Sequence, residues 1–316
     1  MSAHLIDGNG LHSKLMQEIQ QDLARHQTVS GGVPGLAVIR VGYDAASSVY
    51  IRRKKLAAQT LRFDYREHLL AESAPQDEVI DLIHQLNRDP KVHGILPHLP
   101  LPAHLSPMAV IGAIEPSKDV DGLHPLNAGL LIQRQPGVRP CTPLAVMRLL
   151  EEIDFDPAGK RAVIIGRSTC VGKPLAMLLL AAHATVTVCH RHSDLPAALK
   201  HADLVVSAIG SARQIKGAWI KRGAVVIDIG INRVDGALVG DVEFETAAER
   251  ASFITPVPGG VGAVTVAMLM HNTWMAWVEA SRRQSSASRG VQDKQRRTLE
   301  AGALTEPAFG LAGLSA

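Results

Sequence analysis

Apolar residues along the chain follow two alternating rhythms. Short β-branched runs bounded by turn residues read as strands, and longer stretches with apolar positions three and four apart read as helices. In the first half this predicts a helix over about Leu11–His26, a strand over Gly35–Val41 and a helix over Ser47–Leu61. A strand over Asp64–Leu69, a helix over Pro75–Arg88 and a strand over Gly94–Leu96 follow. Pro97, Pro100, Pro102, Pro107 and Pro116 then break the chain into turns and short helical pieces, which puts Asp119 and Asp121 on a loop. A helix over Leu144–Ile153, with Thr142 as its cap and Pro143 in its first turn, bridges the two halves.

From Lys160 the rhythm restarts more cleanly. Strands are predicted over Ala162–Ile165, Thr185–Cys189, Leu204–Ala208 and Ala224–Ile229, with helices over Val171–Ala182 and Leu195–His201. This alternation is that of an α/β protein with mainly parallel strands, and the second half reads as a Rossmann-type nucleotide-binding sheet. An apolar helix over 263–280 is placed to return across the junction, and the Arg-, Gln- and Ser-rich stretch 282–316 reads as a flexible basic tail.

Composition narrows the function. With 316 residues, 46% of them hydrophobic and 20% charged, the chain can bury the cores of two domains. The net charge of +3 is carried entirely by the stretch beyond Ser281, so the body is neutral, and aromatics are only 3%. A neutral, aromatic-poor body offers neither a phosphate-tracking groove nor a stacking platform, so nucleic-acid binding is not expected. Cys141, Cys170 and Cys189 form no C-x-x-C pair, which indicates neither a disulfide framework nor a metal site and favours a reducing compartment. No apolar run approaches the length of about 20 residues that a membrane span needs, so a cytoplasmic protein with no membrane contact is expected.

A candidate cofactor loop follows the strand at Ala162–Ile165. Gly166-Arg167-Ser168 and then Gly172 stand where a sharp turn and a helix N-terminus would approach phosphate. This is a glycine-poor relative of G-x-G-x-x-G, and an ordinary strand–turn–helix is the alternative. At the end of the next strand, Cys189-His190-Arg191-His192-Ser193 offers no carboxylate for a ribose hydroxyl before Asp194. Arg191 and Arg167 would instead attract a 2′-phosphate, which points to NADP.

Tyr50 and Lys54, spaced i and i+4, share one helical face. A partly desolvated lysine beside an aromatic ring can act as a proton donor or acceptor, although such pairs also occur on solvated faces.

Taken together the motifs resemble the methylenetetrahydrofolate dehydrogenase/cyclohydrolase family over about residues 4–280. The matching stretches are Tyr50 through Lys54, Leu99-Pro100-Leu101-Pro102, Lys118-Asp119-Val120-Asp121-Gly122, Pro140-Cys141-Thr142-Pro143, Gly166-Arg167-Ser168, Val226-Ile227-Asp228, Gly230-Ile231-Asn232, Gly240-Asp241-Val242 and Pro256-Val257-Pro258-Gly259-Gly260. The resemblance implies a two-domain α/β enzyme with a cleft between its lobes. Residues 1–141 with 264–281 would form the folate-binding domain and residues 142–263 the NADP-binding domain, in a homodimer. It implies oxidation of 5,10-methylenetetrahydrofolate with NADP, then hydrolysis of the methenyl product to 10-formyltetrahydrofolate. Lys54 would assist proton transfer in hydrolysis, Tyr50 would stack on the folate, and Asp121 would hold the pterin ring. Pro258, Gly259 and Gly260 would let main chain approach the substrate, and Ser193 and Ile231 would join Gly166, Arg167, Ser168, Gly172 and Arg191 in holding the cofactor.

Pro97-His98 departs from the family's Val-Gln, and that glutamine positions the lysine. His98 can still donate or accept a hydrogen bond, but a protonated imidazole would repel the lysine cation. Two alternatives follow: a dehydrogenase with weak or absent cyclohydrolase activity, and a non-catalytic binder of folate or nucleotide.

Overall fold

The computed structural model describes the backbone of residues 2–42 and 45–303, and the side chains of residues 2–27, 31–42 and 51–284. The chain begins with β1 (His4–Leu5) and α1 (Gly8–Ser30). A first sheet follows, built from β2 (Gly35–Val41), β3 (Asp64–Leu70) and β4 (Gly94–Pro97), with α2 (Ala45–Thr60) and α3 (Gln76–Arg88) as crossovers. Its order is β3-β2-β4 and every pairing is parallel, as helical crossovers require. The proline-rich stretch yields α4 (Pro107–Gly112) and α5 (Pro125–Ile132), and the loop between them carries Asp119 and Asp121.

Helix α6 (Cys141–Glu152) leads into β5 (Arg161–Ile165), α7 (Gly172–Ala181), β6 (Thr185–Cys189), α8 (Leu195–Leu199), β7 (Leu204–Ser207) and β8 (Val225–Asp228). A hairpin of β9 (Asn232–Val234) and β10 (Ala237–Val239), helix α9 (Phe244–Ala248), β11 (Phe253–Ile254) and α10 (Val261–Ala303) complete the described chain. The second sheet is wholly parallel, in the order β1-β11-β8-β7-β5-β6. One apolar core joins the two sheets. It runs from Leu36 and Leu96 through Leu149 of α6 and Leu269 of α10 to Ile164 and Ile227.

Four features differ from the sequence reading. Strand β1 lies at the edge of the second sheet, paired with β11, although residues 1–141 were assigned to the first lobe. Helix α1 begins at Gly8 because Asp7 Oδ1 accepts from the N–H groups of Asn9 and Gly10 at 3.0 Å each, a cap outside the apolar periodicity. Thr142 lies inside α6, whose N-cap is Pro140, and Thr142 Oγ1 accepts instead from Thr265 Oγ1 at 3.5 Å. Residues 282–303, expected as irregular tail, continue α10, because no proline interrupts them before Pro307. The remainder of the expected tail, 304–316, lies outside the described residues.

Two buried carboxylates tie down the loops at the carboxyl end of the second sheet. Asp241, fully buried, accepts through Oδ2 from Ser207 Oγ (3.1 Å) and the N–H groups of Ile209 (2.8 Å) and Gly210 (3.3 Å). Its Oδ1 accepts from Ser211 N–H (2.8 Å) and Asn232 Nδ2 (3.0 Å). Asp228 takes the N–H groups of Gly230, Asp241 and Val242 at 2.8–3.0 Å. Burial pushes the Asp228 carboxyl up to about 6, against the pull of those three donors. Asp241→Asn would set an amide NH2 against N–H donors. The expected loss is about 3 kcal/mol of stability, read as a lower urea midpoint at unchanged slope; a midpoint equal to wild type would refute the role.

Candidate active site

The cleft is built from the carboxyl ends of both sheets and the N-terminal turn of α10. Lys54 stands half-buried on α2, while the side chain of its i−4 neighbour Tyr50 lies outside the described residues. Asp121 follows the point where the loop between α4 and α5 bridges to β4, Asp119 beside Ile95, with Ile95 N–H donating to the Lys118 carbonyl at 2.8 Å. Its neighbours hold that loop. Asp119 Oδ2 accepts from His124 N–H (2.7 Å) and Asn127 Nδ2 (2.9 Å), and the Val120 carbonyl accepts from Asn272 Nδ2 (2.9 Å) and Cys141 Sγ (3.3 Å). Burial pushes the Asp121 carboxyl above the usual carboxylate range, and the Lys54 cation is the strongest opposing influence. The Cys141 thiol, which donates to the Val120 carbonyl, is itself raised well above the usual thiol range by burial. The Lys54 cation therefore lies close enough to Asp121 to hold its carboxyl down. His98, half-buried, follows β4 directly, and its N–H donates to the Ile39 carbonyl at 2.8 Å. That bond sets the residue at the carboxyl end of the first sheet.

The opposite wall is a pocket of about 120 Å³ whose lining includes Ile231, Pro258, Gly259, Gly260, Arg53 and Arg233. Gly259 has φ +106°, a left-handed conformation that favours glycine. Ile231 is 53% exposed there, unusual for an isoleucine and suited to a planar ligand face. Four residues picked from sequence for two different ligands thus share one wall.

The loop between β5 and α7 has the form expected of a phosphate cradle. Gly166 has φ +123°, and a Cβ there would strike the Ala208 carbonyl; one on Gly172 would strike the carbonyl of Gly166 itself. Ser168 Oγ accepts from Val171 N–H at 3.1 Å, so this hydroxyl also closes the first turn of α7. At the end of β6, Ser193 Oγ accepts from His190 N–H (3.0 Å) and Arg191 Nε donates to His192 Nε2 (3.1 Å). Arg167 and Arg191 are both exposed. Asp194 Oδ1 accepts from Ala197 N–H (3.2 Å) and caps α8, so the first carboxylate after β6 is engaged away from any ribose. A glycine cradle, two exposed guanidiniums and no free acceptor fit a dinucleotide carrying a 2′-phosphate. Asp228 and Asp241 entered the sequence reading only as parts of matching motifs, and Asn272 did not enter it. Their spacing carries no recognisable signal, since their partners lie up to 152 residues away.

Residues 6–121 match the family described as "Tetrahydrofolate dehydrogenase/cyclohydrolase, catalytic domain", and residues 140–281 match its "NAD(P)-binding domain". "Bifunctional protein FolD 2" of Myxococcus xanthus is 57% identical over 274 residues, 86% of this chain and 95% of that protein. "Bifunctional protein FolD" of Moorella thermoacetica is 50% identical over 285 residues, 90% of this chain and all of that protein. Among solved structures, the bifunctional FolD enzyme of Campylobacter jejuni superposes with a TM-score of 0.86 at 42% identity, covering 88% of this chain and 99% of the other. The FolD methylenetetrahydrofolate dehydrogenase-cyclohydrolase of Trypanosoma brucei, complexed with NADP cofactor and inhibitor, gives 0.85 at 38% identity over 89% and 99%. The chain belongs to the tetrahydrofolate dehydrogenase/cyclohydrolase family.

Proposed function

We propose that the cleft oxidises 5,10-methylenetetrahydrofolate with NADP and then hydrolyses the methenyl cation to 10-formyltetrahydrofolate. The observation that carries this reading is the Lys54–Asp121 pair: a half-buried cation whose charge acts on a half-buried carboxyl, on a loop that Asn272 anchors. The carboxylate of Asp121 accepts the N–H donors of the pterin ring and fixes its orientation. Pro258, Gly259 and Gly260 bring main chain against the ring, and Ile231 meets the nicotinamide. NADP held there would supply the hydride acceptor for the methylene carbon. In the second step water adds to the methenyl carbon, one C–N bond opens, and Lys54 carries the proton released. His98 takes the place of the family's glutamine beside that lysine. Relatives named bifunctional at 50–57% identity support two steps over a dehydrogenase alone or a silent binder.

Arg191, Arg167 and Ser193 bind the 2′-phosphate in this reading, on the loop that Gly166, Ser168 and Gly172 shape. The protein works as a homodimer in a reducing, cytoplasmic compartment. Strand β3 leaves one edge unpaired, and Leu69 on it is 61% exposed. Antiparallel pairing of two such edges about a twofold axis would bury both.

In solution, methylenetetrahydrofolate with NADP should give NADPH while methenyl absorbance stays near zero. Lys54→Met should abolish hydrolysis and make methenyl accumulate. The same change removes the cation that holds the Asp121 carboxyl down, so the pH below which folate affinity is lost should move upward; unchanged hydrolysis and an unmoved profile would refute both assignments. Arg191→Ala should raise KM for NADP by about tenfold, in line with the loss of a charge-assisted pair, and leave KM for NAD unaltered; equal effects on the two cofactors would count against a phosphate contact. Light scattering should find a dimer, and Leu69→Lys a monomer; a variant that stays dimeric would place the interface elsewhere.

A further inference from the structure

Away from the cleft, α1 and α10 enclose a depression of about 380 Å³ that neither chemical step uses. Asp22, Arg25 and His26 line it from α1, and Trp274, Met275 and Arg282 from α10. Trp274, Val278 and Arg282 stand four residues apart and so share one face of that helix. Asn272, two residues before Trp274, lies on the other side, where it anchors the loop of Asp121. The depression is thus separate from the cleft, and Arg282 stands one residue past the stretch that matches the family's NAD(P)-binding domain.

Three features of its lining call for a ligand. The Asp22 carboxylate is answered by Arg25, whose Nη1 lies 3.2 Å from it, so the charge left over is that of Arg282. Among the described residues Arg282 has no hydrogen-bond or ion-pair partner. The indole Nε1 of Trp274 is buried and, among the described residues, has no acceptor. That nitrogen can only donate, and a buried donor without an acceptor is costly. Around these two groups the surface is apolar: the Trp274 ring, held edge-on by His271 at 5.7 Å, Met275 at 43% exposure, and Val278 beneath. The complement of such a lining is a negative group for Arg282, a ring acceptor for the indole N–H, and a flat body to lie against indole and thioether. We propose that this pocket binds a small planar heteroaromatic anion, its charged group on Arg282 and a ring atom accepting from Trp274 Nε1. The volume falls in the ordinary range of small-molecule pockets. Phosphate and carboxylate both pair with a guanidinium in the same forked geometry, so either supplies the charge.

Calorimetry tests the site on the full chain in saturating NADP, which keeps nucleotide probes off the cofactor loop. The probes are adenosine monophosphate and indole-3-propionate. At least one should bind more tightly than ~1 mM; binding of the first alone assigns a phosphate, and of the second alone a carboxylate. Arg282→Glu, a change at an exposed position, should weaken that binding at least ~10-fold, the scale of a lost charge-assisted hydrogen bond. Trp274→Phe keeps a ring and removes the N–H, and should weaken it about 5-fold. Silence from both probes would overturn the proposal, as would binding that Arg282→Glu leaves unweakened. Both criteria rest on Arg282, so they hold whether or not the cleft turns over a folate.

Discussion

The amide of Asn272 sits where α10 crosses the two segments that shape the cleft, and it donates to the carbonyls of Val120 and Arg139 at 2.9 Å each. Neither segment has a β-ladder through which to satisfy those carbonyls, and a buried carbonyl without a donor is costly. One side chain from near the end of the fold thus fixes the loop bearing Asp121 and the approach to α6. The same helix packs on α1 and α6, so the junction between the lobes and the placement of the carboxyl share one support. Reaction geometry here is a property of the junction rather than of either lobe alone.

Two carboxylates, Asp241 fully buried and Asp121 partly so, show how a similar group serves different ends. Asp241 has both oxygens saturated by five donors, the side chains of Ser207 and Asn232 and three N–H groups of the loop after β7. Asp121 is raised by burial above the usual carboxylate range, with the Lys54 cation as the main counterweight. An acceptor left with capacity is one a ligand can use. The cofactor end follows the same logic with opposite charge: Asp194 is occupied by the cap of α8, while Arg167 and Arg191 remain exposed.

Much of this was legible in the sequence because it depends on local periodicity. The seven strands from β2 to β8 fall within a residue of where β-branched runs place them, and the buried ones, such as β5, β7 and β8, read as continuous apolar segments. The loop containing Asp121 follows from clustered prolines. The long-range pieces were not legible. His4–Leu5 and Phe253–Ile254 are too short to show a rhythm, and the hairpin at Asn232–Val239 turns on Asp235-Gly236, both at positive φ, a signal overlooked because the flanking strands have three residues each. Matching motifs marked Asp241 without a reason for it; the reason is a set of donors that only the folded sheet assembles.

The pairing of β1 with β11 has a consequence for how the chain acquires its structure. His4 lies against Phe253, across almost the whole of both lobes. During synthesis the first strand has nowhere to go until its neighbour has left the ribosome, and the first sheet, with its local crossovers, can be complete long before. The second sheet is therefore finished only when the segment at His4 meets that at Phe253, and that late event also draws the beginning of α1 against the loop of Pro258–Gly260. A chain cut short before β11 would keep the strands of the first sheet and lack both α10 and the wall at Pro258–Gly260.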